Sequence, residues 1–127
     1  MKNVLIIAHG SRRDESNAEI RTLAEKVAES MPFEIDHVDV AFLELSSPTI
    51  REAIDICFGR GIRELAVLPY FLSIGNHVVK DIPHEIDAAM SNWPDKKVTI
   101  LPHIGGSDDM VKLITSNVET LQNCRKG

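Results

Sequence analysis

Two histidines and a glutamate each follow an apolar run of this 127-residue sequence. His9 and Glu44 come directly after the first and second runs, and His77 comes a few residues after the third. Neutral imidazoles and carboxylates are suitable ligands for divalent cobalt, nickel, iron or zinc. The same groups accept protons from a bound ligand. If the fold brings the three side chains together, they can therefore bind a metal ion and move protons.

Each of these residues taken alone also has a simpler interpretation. A histidine at a strand end often only hydrogen-bonds the backbone of a turn, His77 can simply begin a helix, and Glu44 can cap one. His103 follows a fourth apolar run, and the sequence fits two roles for it, a further metal ligand or a turn residue. The functional interpretation gains weight because the carboxyl ends of parallel strands meet at one edge of a sheet, where α/β proteins bind ligands.

The elements that must position these residues alternate along the chain. Unbroken apolar and β-branched runs predict four buried parallel strands, at residues 3–8, 37–43, 64–70 and 97–103. Helical spacing predicts four helices: residues 15–31, a helix capped by Ser47 with Pro48 in its first turn, a helix from 77 or 81 to 93, and one from about 107.

This order predicts one α/β domain over residues 1–127. A strand, helix, strand, helix alternation with short connections is typical of a parallel sheet with helices on both faces. We therefore expect a three-layer sandwich around a four-stranded parallel sheet with flavodoxin-like winding. The carboxyl edge of that sheet is where we expect the chemistry.

Composition narrows the classes of partner and the compartment. With 14 Lys and Arg against 19 Asp and Glu, the net charge of -5 disfavours nucleic acid and anionic membranes as partners. The apolar run at residues 4–8 is too short for a signal peptide or a membrane span. Cys57 and Cys124 have neither metal-type nor disulfide-type spacing, which indicates free thiols in a reducing cytoplasm.

Basic and apolar residues near the same edge suggest a substrate. Arg12 and Lys80 are suited to bind several carboxylates, whereas Arg13 and Arg51 are more simply explained as ordinary surface charges. The apolar run LPYFLSIG continues beyond the predicted strand. Its side chains either pack beneath the loop or form a wall for a flat hydrophobic ligand, and two aromatic residues together favour the wall.

Three segments carry a resemblance to a known family. LIIAHGSR with Asn17 after it, AFLELSSPTIREAI, and above all LPYFLSIGNHVVKDIP are similar to the small CbiX-type sirohydrochlorin cobaltochelatases and to the SirB-type ferrochelatases. The similarity runs from the first strand to about residue 90. Two departures are Asn76, where an arginine is common in the family, and the absence of a histidine-rich tail.

The resemblance implies the insertion of a divalent metal ion into sirohydrochlorin, a tetrapyrrole with eight carboxylates. The ion is a substrate, Co2+ first with Ni2+ or Fe2+ as alternatives, and neither a nucleotide nor a redox cofactor takes part. The short forms resemble homodimers. The resemblance makes His9, His77 and Glu44 the metal-binding and catalytic residues. The expected substrate-binding residues are Ser11, Arg12, Tyr70, Phe71, Leu72, Ser73, Ile74, Gly75, Asn76 and Lys80.

Two other functions use the same residues differently. A non-catalytic carrier of a metal or a tetrapyrrole would need the same site without turnover. Phosphoryl transfer through His9 is disfavoured because histidine phosphatases have an arginine directly before the histidine, and this chain has Ala8 there.

Overall fold

The computed structural model describes residues 2–31 and 35–126, without the side chains of His77 and of residues 122–126. In chain order the elements are β1 (Lys2–Ala8), α1 (Asp14–Ser30), β2 (His37–Phe42), α2 (Ile50–Gly59), β3 (Glu64–Pro69), α3 (Asn76–Met90), β4 (Lys97–Ile100), a 3-10 turn (Ile104–Gly106) and α4 (Asp109–Lys126).

The four strands form one sheet in the order β2-β1-β3-β4, and every pair is parallel. β1 lies in the middle, with Ala8 opposite Phe42 of β2 and Ile7 opposite Pro69 of β3. The loops after β1, β2 and β3 therefore leave the same edge of the sheet side by side. The α/β architecture predicted from the unbroken apolar runs is confirmed.

One face of the sheet packs against α2 and α3. Alternate strand residues, among them Leu5, Ile7 and Val67, join Ile54 of α2 and Ile86 of α3 in a single buried cluster. This alternation follows from the two-residue period of a strand, which sends neighbouring side chains to opposite faces. The cluster fixes β1 and β3 beneath the two helices that follow β2 and β3.

α1 lies on the opposite face, over β2. The Arg21 guanidinium sits 5.2 Å from the centre of the Phe42 ring, and Ala24 is buried. Phe42 alternates with Ala41, which belongs to the α2–α3 cluster, so α1 must be on the other side of the sheet.

α4 differs from the expectation that every helix covers the sheet. Within the described chain, its main contacts are with the 3-10 turn that precedes it. Its aliphatic side chains are exposed, for example Val111 at 69% and Ile114 at 57%.

Local boundaries differ from the sequence prediction at β4, which ends at Ile100 and not at residue 103, and at two helices. α2 begins at Ile50 because Thr49, not Ser47, caps it: the Thr49 hydroxyl accepts from the Glu52 backbone N-H, and the Glu52 carboxylate accepts from the Thr49 N-H. α3 begins at Asn76 and ends at Met90, so Pro83 lies inside the helix. Pro83 has no N-H to donate to the carbonyl of Val79 one turn before it.

No helix in the described part of the chain is both long and apolar enough to cross a bilayer.

Candidate metal and substrate site

Gly10 brings the loop after β1 against the loop after β2. Its backbone φ is +97°, a conformation that residues other than glycine rarely adopt. A Cβ at this position would lie 1.8 Å from the Glu44 carbonyl oxygen. The Glu44 N-H also donates to the His9 carbonyl at 3.0 Å. The glycine thus lets the backbones carrying His9 and Glu44 approach closely.

The His9 and Glu44 side chains meet above this contact. His9 Nε2 lies 3.3 Å from Glu44 Oε1, and His9 Nδ1 lies 3.1 Å from the Gly10 carbonyl oxygen. When Nδ1 carries the proton and donates to that carbonyl, Nε2 presents a lone pair to a carboxylate oxygen. In that tautomer the His9 nitrogen and the Glu44 oxygen are both acceptors, and a cation bound between them would stabilise their close approach. Both side chains are more than half exposed, at 54% and 58%, so an ion can reach them from solvent.

Asn17 holds the loop that follows His9 and Gly10. It is 4% exposed, and its amide oxygen accepts from the Ser11 N-H at 3.0 Å while its nitrogen donates to the Ser11 carbonyl at 2.8 Å. A buried amide with both ends satisfied fixes the loop to α1. Asn17 is a positioning residue. The sequence resemblance included it, but spacing alone gave it no role.

A cavity of about 200 Å3 opens beside the histidine and is lined by His9, Leu43, Glu44, Asp81 and Glu85. Its polar lining holds carboxylates from β2's loop and from α3, so the cavity favours cations. Sequence reasoning missed Asp81 and Glu85. The sequence did contain a signal for them. Asp81 and Glu85 follow His77 by four and eight residues, a spacing that places all three on one side of a helix.

Arg51 limits the negative charge of that cavity. Its Nε donates to Glu85 Oε2 at 2.6 Å, with the two side chains 55% and 32% exposed. This pair occupies the Arg51 guanidinium, in agreement with its interpretation as an ordinary charge rather than as a substrate ligand.

His77 is the second residue of α3, one helical turn before Asp81. Its ring lies outside the described residues, so the predicted meeting of His77 with His9 stays a prediction. Among the side chains that are described, no three histidine, cysteine or acidic groups form a metal-binding set.

The segment from Tyr70 to Asn76 is not a single wall. Tyr70 lines a different cavity, beside α1, and Phe71 packs against the main core cluster. Leu72 is 74% exposed, and Ile74 is half-buried. Among the remaining predicted substrate ligands, Ser11 is half-buried, and the following are exposed: Arg12, Ser73, Gly75, Asn76 and Lys80. Their roles in binding substrate stay predictions.

His103 belongs to the 3-10 turn rather than to the His9 cavity. It precedes the turn directly, and a Cβ at Gly106 would lie 3.0 Å from its ring. Gly105 has a different role, because a Cβ there would lie 1.7 Å from the Leu72 carbonyl oxygen and its N-H donates to the Phe71 carbonyl. This contact ties the loop after β3 to the turn after β4.

Cys57 is not available as a ligand or nucleophile. Burial, followed by the neighbouring Asp39 carboxylate, raises the pKa of its thiol to about 12. Arg60 donates to both Asp39 oxygens, at 2.6 and 3.0 Å, and the pKa of Arg60 is raised by this hydrogen bonding. Cys57, Asp39 and Arg60 together form a hydrogen-bonded group between α2 and β2, and their role is structural.

Residues 3–121 match the family model CbiX, which is most of the chain. The chain belongs to the CbiX family. The site just described therefore lies on a CbiX domain, with His9, Gly10, Glu44 and Asn17 all within the matched residues.

Curated relatives of this CbiX chain carry chelatase names. A sirohydrochlorin ferrochelatase from Priestia megaterium is 29% identical over 118 residues, which are 93% of this chain and 44% of the relative. A sirohydrochlorin cobaltochelatase from Methanopyrus kandleri is 39% identical over 83 residues, which are 65% of this chain and 57% of the relative. The chain thus spans about half the length of the curated relatives it matches.

A solved structure of matching length shares the fold. It comes from Marinobacter aquaeolei VT8, is described as a cobalamin (vitamin B12) biosynthesis CbiX protein, and superposes with a TM-score of 0.85. The superposition covers 100% of this chain and 99% of the other at 23% identity. At that identity the likeness concerns the fold alone.

Proposed function

We propose that this CbiX chain is a sirohydrochlorin chelatase that inserts a divalent metal ion, Co2+ first, into the tetrapyrrole. The observation that carries the proposal is the approach of His9 Nε2 to Glu44 Oε1 at 3.3 Å, at an exposed edge beside an acidic cavity. The names of the relatives, with cobalt in one and iron in another, suggest the reaction and leave Ni2+ or Fe2+ as alternative ions.

In the proposed reaction His9 and Glu44 hold the incoming ion, with His77 as a further ligand. An imidazole and a carboxylate bind first-row divalent ions without strong selection among them, so this ligand set suits cobalt, nickel and iron alike. As metal-nitrogen bonds form, the two pyrrole N-H protons of the macrocycle must leave. Glu44 accepts one of them, and Asp81 at the same cavity is suited to take the other.

The substrate's carboxylates would be bound by the exposed cations at the edge, Arg12 and Lys80, and by backbone N-H groups. The macrocycle would lie against the apolar part of the segment after β3, chiefly the exposed Leu72 and the half-buried Ile74. No nucleotide or redox cofactor enters this reaction. A homodimer would supply the second half that the longer relatives contain, and the free thiol of Cys57 suits a cytoplasmic location.

The test follows the loss of metal-free sirohydrochlorin absorbance with Co2+, Ni2+ or Fe2+. We expect His9→Ala and Glu44→Gln each to lower the rate by roughly 100-fold or more, because His9→Ala removes a ligand and Glu44→Gln removes both an anionic ligand and a proton acceptor. His84→Ala, on the exposed side of α3, is the matched control and should keep the wild-type rate.

Two results would overturn parts of the proposal. If the wild type gives no rate above the spontaneous reaction, the protein is not a chelatase. If it converts only one equivalent per chain and stops, it is a carrier. If His9→Ala and His77→Ala both keep the full rate, the reaction takes place elsewhere on the protein.

A further inference from the structure

One positive charge is fixed beside the metal cavity by an ion pair between two helices. Arg51 is the second residue of α2, and its Nε donates to Glu85 Oε2 of α3 at 2.6 Å. Glu85 lines the same cavity as His9 and Glu44. A donor-acceptor distance this short is typical of a charge-assisted hydrogen bond. The guanidinium therefore offsets one of the carboxylate charges that face the cavity.

The backbones that carry this pair are held by the core and by a helix cap. Ile50, directly before Arg51, and Ile86, directly after Glu85, both belong to the buried cluster on that face of the sheet. The capping box at Thr49 fixes the first turn of α2, which contains Arg51. Because both side chains start from fixed positions, pairing orders less of the chain than it does between mobile surface groups.

The proposed reaction makes two opposite demands on a metal site. The site must take up a divalent ion from solution, and it must then release that ion as its bonds to the protein break and its bonds to the pyrrole nitrogens form. Carboxylates favour uptake because they attract the ion. Binding that stabilises the held ion more than the ion in transfer raises the barrier to transfer. A positive charge beside the carboxylates shifts this balance toward release.

We propose that Arg51 is a positioning residue that acts through Glu85: it weakens the binding of the divalent ion at the His9–Glu44 site and so permits transfer of the ion to the macrocycle. In this arrangement Arg51 contacts neither the ion nor the tetrapyrrole. The inference rests on the proposed function and adds which residue sets the balance between holding the ion and releasing it. The alternative is a purely structural pair that only joins α2 to α3.

The first experiment titrates Co2+ alone into the protein by calorimetry, without sirohydrochlorin. Arg51→Gln should bind Co2+ about 5-fold more tightly than the wild type, because it leaves the Glu85 charge unopposed. Glu85→Gln should bind it about 5-fold more weakly, and the double variant should return close to the wild-type Kd. Arg63→Gln is the matched control. It removes the same charge from an exposed position before β3, at the opposite edge of the sheet, and should leave the Kd unchanged.

The second experiment measures chelation over a range of Co2+ concentrations at saturating sirohydrochlorin. For Arg51→Gln, the KM for Co2+ and kcat should both fall by about 5-fold, because the held ion gains stability that the transfer step does not share. Arg51→Lys keeps the positive charge and should keep both values close to those of the wild type. A purely structural pair would instead lower the free energy of unfolding of Arg51→Gln and leave both the Kd and the kinetics unchanged.

The outcomes separate this inference from the proposed function. An Arg51→Gln Kd equal to that of the wild type overturns the inference, and so does the absence of Co2+ binding by every variant. A tighter Kd with an unchanged kcat overturns the role of Arg51 in transfer. If the Kd shifts as expected but the wild type gives no chelation above the spontaneous rate, the chelatase proposal fails, whereas the control of ion affinity by Arg51 stands.

Discussion

The two halves of the sheet differ in how closely their surroundings pack. Around β1 and β2, Phe42 and Ile6 are at most 1% exposed, and Gly10 and Asn17 fix the loop that carries His9. Around β3 and β4, Leu72 and Leu101 are 74% and 39% exposed. The difference separates two regions: the packed half holds the His9 and Glu44 side chains in a defined geometry, and the open half leaves apolar surface exposed.

The largest expected effect contrasts two glycines that follow β1 and β3. Gly10→Ala places a Cβ against the Glu44 carbonyl and strains a positive φ, so it should lower the free energy of unfolding by about 4 kcal/mol. Gly75→Ala meets no atom within 4 Å and has a φ of -83°, so it should cost only about 1 kcal/mol, because alanine is less favourable than glycine at the N-cap of α3. Urea denaturation measures both.

Equal losses of unfolding free energy for Gly10→Ala and Gly75→Ala would contradict this contrast. The contrast would also be broken if Gly10→Ala kept wild-type stability, since the loop after β1 would then have room to move. In that case the His9–Glu44 geometry is not held by this close approach.

A second contrast compares aliphatic side chains on the α1 face of the two halves. Ile6→Ala should cost about 3 kcal/mol because it leaves a cavity in a fully packed region. Leu101→Ala should cost less than about 1 kcal/mol, since this side chain is 39% exposed. Urea denaturation of the two variants measures both costs.

Similar costs for Ile6→Ala and Leu101→Ala would show that the second half of the sheet is packed as well as the first.

The smallest expected effect is a pH dependence within the packed half. The pKa of Cys57 is raised to about 12 by burial and by Asp39, whereas in the unfolded chain it ionises near its ordinary value of 9.0. The stability that the neutral thiol contributes is therefore complete below about pH 9 and is lost as the pH rises toward 12. Between pH 8 and pH 10 we expect a loss of about 1 kcal/mol from this group.

Cys57→Ala removes that contribution, so the variant should lose less stability than the wild type over the same pH interval in urea denaturation. Identical pH slopes would show that solvent reaches the thiol. The region beneath α2 would then be less closed than its burial indicates.

The sequence by itself determined the kinds of element and their order. Unbroken apolar runs require strands buried on both faces, and these runs correctly predicted the parallel sheet. The order of strands and loops also placed His9 and Glu44 at one edge. The exact helix starts were less predictable, because Ser47 and Thr49 are both suitable caps, and only tertiary contacts select between them.

Only the tertiary structure decided which side chains meet. The parallel register of β1 with β2 brings residues 35 positions apart within 3.3 Å, and the φ of Gly10 allows it. The same is true of Asp81 at the cavity and of the separation of α4 from the sheet. Periodicity identifies the apolar side of a helix, but which surface covers that side depends on packing between distant segments.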